Sequence, residues 1–233
     1  MRELVLDTET TGLRLQDDHR LIEIGIIELI DYEKTGRQYH TYLNPRRSVS
    51  AGAVEVHGIS YEKLADKPEF FEIAGEFLSF IENSPIIMHN AEFDLGFLNA
   101  ELGRAGREEI SNERVIDTLS LSRKFQPRLR SHSLDALCRH FRIDDSNRTL
   151  HGALLDAELL ADVYLKLLGL DKPVFDLWPE GETPKSRNSD DGWKPGPRRK
   201  PLEPRLTEKE AERHAAFVET LGDNALWKQL ENR

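Results

Sequence analysis

Apolar and polar positions change rhythm several times along this chain. Residues 3–7 (ELVLD) set three apolar side chains in a row before an aspartate, the mark of a short buried strand. Residues 21–30 (LIEIGIIELI) combine alternation with β-branched content and predict a second strand. Residues 37–43 (RQYHTYL) alternate and predict a third, which Asn44-Pro45 ends. The short gaps favour antiparallel pairing among the three. Over 69–83 the period lengthens: Phe70, Ile73, Phe77, Leu78 and Ile81 fall on one helical stripe. Pro85 opens PIIMH, a short strand, and Asn90 can cap a helix over 91–106 with Leu95, Leu98 and Leu102 inward. VIDTL (115–119) is another short strand-to-helix passage, and 132–141 and 152–168 read as further helices. Three strands followed by strands alternating with helices predict an α/β fold, a mixed sheet with helices on its faces.

After Leu170 the rhythm stops. Residues 179–206 hold six of the eleven prolines, at 179, 184, 195, 197, 201 and 204, which predicts a flexible linker. Thr207-Glu208-Lys209-Glu210 is a capping-box pattern for a helix over 208–221, with Ala211, Ala215, Val218 and Leu221 on one stripe and Gly222 suited to its end. Leu226, Trp227 and Leu230 follow in ALWKQL. The expected organisation is a folded domain over 1–170, a linker over 171–206 and a small C-terminal element over 207–233.

Charge narrows the chemistry. With 32 basic against 42 acidic residues the formal charge is −10, so a general basic field for nucleic acid is not expected. A chain of this charge that acts on DNA or RNA needs metal ions, local contacts or a partner. Cys138 is the single cysteine, which rules out an intrachain disulfide and argues against a cysteine zinc site. Its place in the amphipathic run LDALCRHF predicts a buried thiol. No window approaches the apolar length of a membrane helix, and no basic-then-apolar leader opens the chain, so a cytoplasmic protein is expected.

The candidate chemistry lies in acids at strand ends. Asp-x-Glu triplets are weak signals, because this composition yields about two by chance, and three occur, at Asp7, Asp31 and Asp156. Asp31-Tyr32-Glu33 enters a polar turn. Asp7 instead ends an apolar strand, and Thr10-Thr11-Gly12 turns the chain away. Residues two apart on a strand share a face, so Asp7 and Glu9 are neighbours. At ~5 Å and an effective dielectric of ~20 they repel by roughly 3 kcal/mol. One carboxyl takes up a proton, a cation sits between them, or a turn carries both into water. MHNAEFD (88–94) puts Asp94 in a first helical turn, and TLHGALLDAELL (149–160) puts His151 five residues before Asp156. On one continuous helix that pair diverges by about 140°. It converges only if His151 lies in the loop before the helix, which Gly152 permits. Asp117, in VIDT, also ends a strand and can serve as an N-cap. Each acid alone could merely satisfy a helix N-terminus. Together, carboxylates at several strand-to-helix junctions suit hard divalent cations such as Mg²⁺ or Mn²⁺.

Asp7-Thr8-Glu9, the stretch Asn90-x-x-Phe93-Asp94, and His151 with Asp156 resemble, in order and spacing over residues 1–168, the three motifs of the DEDD 3′→5′ exonucleases, in the subgroup with a histidine base. The resemblance implies a ribonuclease H-like fold, with a five-stranded mixed sheet whose first three strands are antiparallel. It implies that Asp7, Glu9, Asp94 and Asp156 hold two divalent ions, that His151 takes the proton from the attacking water, and that Asp117 is a supporting acid. Thr10, His57 and Phe93 match positions that, with Asp7, Glu9 and Asp156, hold the terminal nucleotide. One departure is Gly52, where relatives often carry an acid, so contacts to the terminal sugar are expected to differ.

HNAEFD, SLDALC and RTLHGALLDAELLA look like the proofreading members that serve a bacterial replicative DNA polymerase. Those carry a tail that binds the catalytic (alpha) subunit. Here Leu226 and Trp227 would be the aromatic anchor, and tethering would raise the local concentration of the primer end. Residues 172–177 (KPVFDL) stand where such members carry a sliding-clamp peptide, with Lys172 replacing its usual glutamine. Relatives also suggest a small accessory subunit. Two other functions stay open at this point: an RNA 3′-exonuclease of the same superfamily, and a catalytically silent adaptor of a polymerase complex.

Overall fold

The apolar run at residues 3–7 forms the middle strand of the sheet, β1 (Arg2–Thr10). β2 (Leu21–Ile30) pairs with it antiparallel, and β3 (Glu33–Tyr42) pairs antiparallel with β2. On the other side β4 (Ile86–Met88) and β5 (Val115–Asp117) are parallel to β1, giving the order β3-β2-β1-β4-β5. The structure, a computed structural model, describes residues 1–146, 150–170 and 207–220. Residues Met1–Leu177 and Trp178–Arg233 form two separate units.

Both faces of the first unit's sheet are covered. Leu4, Leu6, Ile24 and Ile26 pack with Phe77 of α3 (Phe70–Ile81) and Leu98 of α4 (Ala91–Arg104). Val5, Ile27 and Ile87 pack on the opposite face with Leu137 and Cys138 of α6 (Leu134–Phe141) and Leu160 of α7 (Ala153–Leu168). This two-sided burial explains why β1 reads as a continuous apolar run rather than an alternation. Each such side chain stabilises the fold by roughly 1.5–3 kcal/mol on full burial. Two buried carboxylates of the sheet are hydrogen-bonded: Glu28 accepts from Arg2 at 2.6 Å, and Glu3 accepts through Oε1 from Tyr164 at 3.0 Å.

Three departures from the expected elements matter. β1 runs on to Thr10, so Asp7 lies inside the strand rather than at its end and Glu9 is part of it; the register shifts only after Glu9. β3 starts at Glu33, four residues early, because pairing with β2 extends an exposed polar edge that carries no apolar signal. Two short helices, α1 (Ala51–His57) and α2 (Tyr61–Leu64), were not expected; each buries a single residue, too few for a stripe. The expected helices hold with trimmed ends, and α5 (Thr118–Phe125) completes the VIDTL passage.

In the second unit α8 (Glu208–Thr220) opens with the expected capping box. Thr207 N donates to Glu210 Oε2 at 2.9 Å, and Glu210 N donates to Thr207 Oγ1 at 3.4 Å. Ala211 and Ala215 are exposed and Val218 is half-buried. Leu221, Gly222, Leu226, Trp227, Leu230 and the whole 171–206 linker segment, the 172–177 peptide included, lie outside the described residues. Among the described residues no helix is long and apolar enough to cross a membrane.

Candidate active site

Parallel strands β1, β4 and β5 end along one edge of the sheet, and the acids gather there. Asp7 and Glu9 lie on the same face of β1, opposite Gly25 and Glu23 of β2. α7 starts over that face. A Cβ on Gly25 would sit 2.3 Å from the backbone of Ala153 and Leu154, so the glycine is what lets the helix end rest on the strand.

Gly152 is the N-cap of α7, which leaves His151 one residue outside the helix and Asp156 in its first turn. From there His151 Nδ1 lies 3.1 Å from Asp156 Oδ2. A carboxylate only accepts, so Nδ1 carries the hydrogen. The His151 backbone N–H also donates to Val56 O of α1 at 3.2 Å. Glu9, His151 and Asp156 each bring one donor atom within 4.8 Å of the other two. Asp156 is 3 % exposed, while Glu9 and His151 are half-buried.

Asp94 approaches from the other face. Thr8, one position off the Asp7–Glu9 face, donates from Oγ1 to Asp94 Oδ1 at 2.6 Å. Asp94 is 4 % exposed, and burial pushes its carboxyl up to about 7 despite the hydrogen bonds from Thr8. A carboxyl this uncomfortable as an anion marks a place where positive charge is missing. Asp7 and Asp94 lie outside the three-residue donor group, so the structure draws Glu9, His151 and Asp156 together more tightly than the other two predicted acids.

Asp117 works differently from a ligand. It caps α5 through Leu119 N at 3.1 Å and Ser120 N at 3.2 Å, and Oδ1 also accepts from Asn90 N at 3.0 Å and Ala91 N at 3.3 Å. Burial alone would raise its carboxyl; these amides and Ser120 Oγ outweigh that and hold it below the usual range. The expected side-chain cap at Asn90 is therefore corrected. Asn90 stands at the N-cap in the left-handed region (φ 63°) without a side-chain cap bond, and Asp117 of β5 serves the first amides of α4 instead.

Beside the acids lies a cavity of 530 Å³ lined by Glu9, Thr10, His57 and Phe93, together with Leu13 and Val56. His57, the last residue of α1, accepts from Ile59 N at 3.0 Å on Nδ1 and faces Thr10 O with Nε2 at 3.3 Å. Because Nδ1 accepts, a ring hydrogen on Nε2 would point at the Thr10 carbonyl, and burial lowers the pKa of the imidazole against the opposing pull of that carbonyl. Gly52 also lines the cavity, and a Cβ there would touch nothing within 4 Å. Sequence reasoning missed Thr8, Glu23 and Gly25. The sequence marks Glu23 only as one of two carboxylates, with Glu28, in a largely apolar strand.

The profile of the exonuclease family RNase_T matches residues 4–164. A protein named DNA polymerase III subunit epsilon from Rickettsia typhi is 50% identical over 180 residues, 76% of this chain and 78% of that protein. Among solved structures, Exonuclease X in complex with 5′ overhanging duplex DNA superposes with a TM-score of 0.55 at 25% identity, over 72% of this chain and 92% of that one. The nuclease domain of 3′hExo, a DEDDh family member bound to rAMP, gives a TM-score of 0.63 at 16% identity over 73% of this chain and 92% of that one, a likeness of fold alone.

Proposed function

Because the chain belongs to the exonuclease family, and within it to the DNA polymerase III epsilon subunits, we propose that it removes mispaired nucleotides 3′→5′ from a primer end as the proofreading subunit of that polymerase. The observation that carries this reading is the convergence of Glu9, His151 and Asp156, of which Glu9 also lines the cavity. Carboxylate oxygens of Asp7, Glu9, Asp94 and Asp156 fit hard divalent ions, and the raised Asp94 carboxyl fits a site that such charge would complete. These four would hold two ions, Mg²⁺ or Mn²⁺. Bound there, the ions supply Lewis-acid activation of water and neutralise charge developing on the phosphodiester.

The chain's own residues do the rest. Thr10, His57 and Phe93 line the space for the terminal nucleotide, with Phe93 offering a ring for base stacking. Asp156 orients the His151 imidazole through Nδ1–H, which leaves Nε2 to accept the proton of the attacking water. Acidic side chains outnumber basic ones in this part of the chain: residues 1–170 carry 20 basic and 29 acidic side chains. Weak intrinsic DNA affinity follows, and a polymerase partner would keep the primer end close. In this reading Leu226 and Trp227 anchor the alpha subunit, 172–177 touches the sliding clamp, an accessory subunit can join, and the assembly works in the cytoplasm.

The test is digestion of single-stranded DNA and of primer ends, paired and mispaired, with Mg²⁺ or Mn²⁺ and with EDTA, alongside RNA of equal sequence. The expected products are nucleoside 5′-monophosphates, released faster from mispaired DNA, and none from Asp7→Ala. Equal cleavage in EDTA, undiminished cleavage by Asp7→Ala, or preference for RNA would overturn it.

A further inference from the structure

α7 begins with no cap side chain of its own, since its N-cap is Gly152. The first amides of a helix need acceptors from somewhere. Glu23 of β2 provides one: its Oε2 accepts from Ala153 N at 3.2 Å, in the interior. Glu23 is 3 % exposed. Its Oε1 is 2.7 Å from His40 Nε2 on β3, so the carboxylate is braced from behind as well as engaged in front. A carboxylate at a helix N-terminus also suits the helix dipole.

We infer that Glu23 is a positioning residue for hydrolysis: by capping α7 across the sheet it sets His151 and Asp156 against Glu9. The inference rests on the proposed exonuclease reading. Glu9 and Glu23 are direct cross-strand partners, so the strand that bears Glu9 and the acceptor that holds α7 share one register position. Gly25, two residues along the same face, lets the helix backbone come close enough for this bond to form. Both oxygens of Glu23 are engaged, one by His40 and one by Ala153, so its role is indirect. A loosened helix start would move His151 and Asp156 relative to Glu9, while the nucleotide cavity, built from other elements, would persist.

The experiment compares the full-length chain with Glu23→Ala, Glu23→Gln and His40→Ala. It reads kcat and KM on single-stranded DNA with Mg²⁺, and solvent exchange of the Ala153 amide by NMR in metal-free buffer. Partners behind metal ligands typically change activity about 10–100-fold. Glu23→Ala is expected to lose kcat in that range with KM little changed, and to lose protection at Ala153. Glu23→Gln, whose amide oxygen still accepts, recovers most of both. His40→Ala, which keeps the acceptor but removes its brace, falls between. If Glu23→Ala does not fold, Glu23→Gln and His40→Ala decide: wild-type kcat and protection in His40→Ala, or Glu23→Gln with kcat lost as in a ligand variant, overturns the inference. Wild-type kcat in a folded Glu23→Ala also overturns it. A wild-type chain that degrades no DNA removes the exonuclease reading itself, an outcome distinct from an active wild type matched by Glu23→Ala.

Discussion

His151 and Asp156 are five residues apart yet meet at 3.1 Å, because a helix starts between them. They occupy the positions just before the N-cap and four residues into the helix. Those are the positions whose side chains touch in a hydrophobic staple, here filled by an imidazole and a carboxylate. On a continuous helix they would point about 140° apart. The break at Gly152 therefore turns a sequence spacing into an oriented base.

His151→Ala should separate catalysis from folding. Its side chain is half-exposed, so the melting temperature is expected to stay near wild type. General-base catalysis contributes about 10²–10⁴-fold, and kcat should fall within that range. A variant that keeps kcat within tenfold would remove His151 from the base role.

Gly25→Ala should disturb the site through the backbone. The added Cβ meets the start of α7 at 2.3 Å, where no flexible side chain can yield. Overpacking of this kind costs about 1–3 kcal/mol, and helix α7 must lift to relieve it. Denaturant midpoints should fall, and activity should fall further than stability explains. A variant with wild-type stability and rate would show that the helix end is not seated on this glycine.

Asp94 gives the metal-free protein a pH signature. Unfolded, its carboxyl ionises near the ordinary 3.8; folded, burial holds the proton to about 7. Between those values the native state binds more protons, so its stability falls as pH rises through the window. Asp94→Asn cannot ionise. In EDTA it should gain stability over wild type from pH 4 to pH 7, on the order of a few kcal/mol in all, and level off above. Denaturation midpoints from pH 4 to 8 measure this; a difference that does not change with pH would contradict the buried ionisation.

Asp117 should act on stability first. Its oxygens serve amides at the starts of both α4 and α5, so Asp117→Ala strips acceptors from two helices. A lost cap and stranded amides cost about 1–3 kcal/mol. Asp117→Asn, which keeps one acceptor oxygen, should recover part of the loss. Equal midpoints for wild type and Asp117→Ala would sink the capping role.

Much of the fold was legible because its signals are local. The two-sided burial of Leu4, Val5 and Leu6 shows as an apolar run, and the stripe from Phe70 to Ile81 shows as a helical period. Glu33–Gly36 showed nothing, since an exposed edge strand owes its conformation to its neighbour's hydrogen bonds. α1 was hidden for a related reason: of AGAVEVH only His57 is buried. The acids could be located at strand ends, but not their divisions of labour. That Asp94 bonds Thr8 from one face while Asp156 bonds His151 on the other depends on which helix covers which face. Glu23 was invisible for the same reason, because a carboxylate in LIEIGII looks like ordinary alternation until Ala153, 130 residues away, arrives at its oxygen.

The most direct measurement is anomalous diffraction from a crystal of the protein soaked in Mn²⁺. Two peaks bounded by Asp7, Glu9, Asp94 and Asp156, with His151 beside them, are expected. No peak among these carboxylates, or peaks only elsewhere on the molecule, would contradict this.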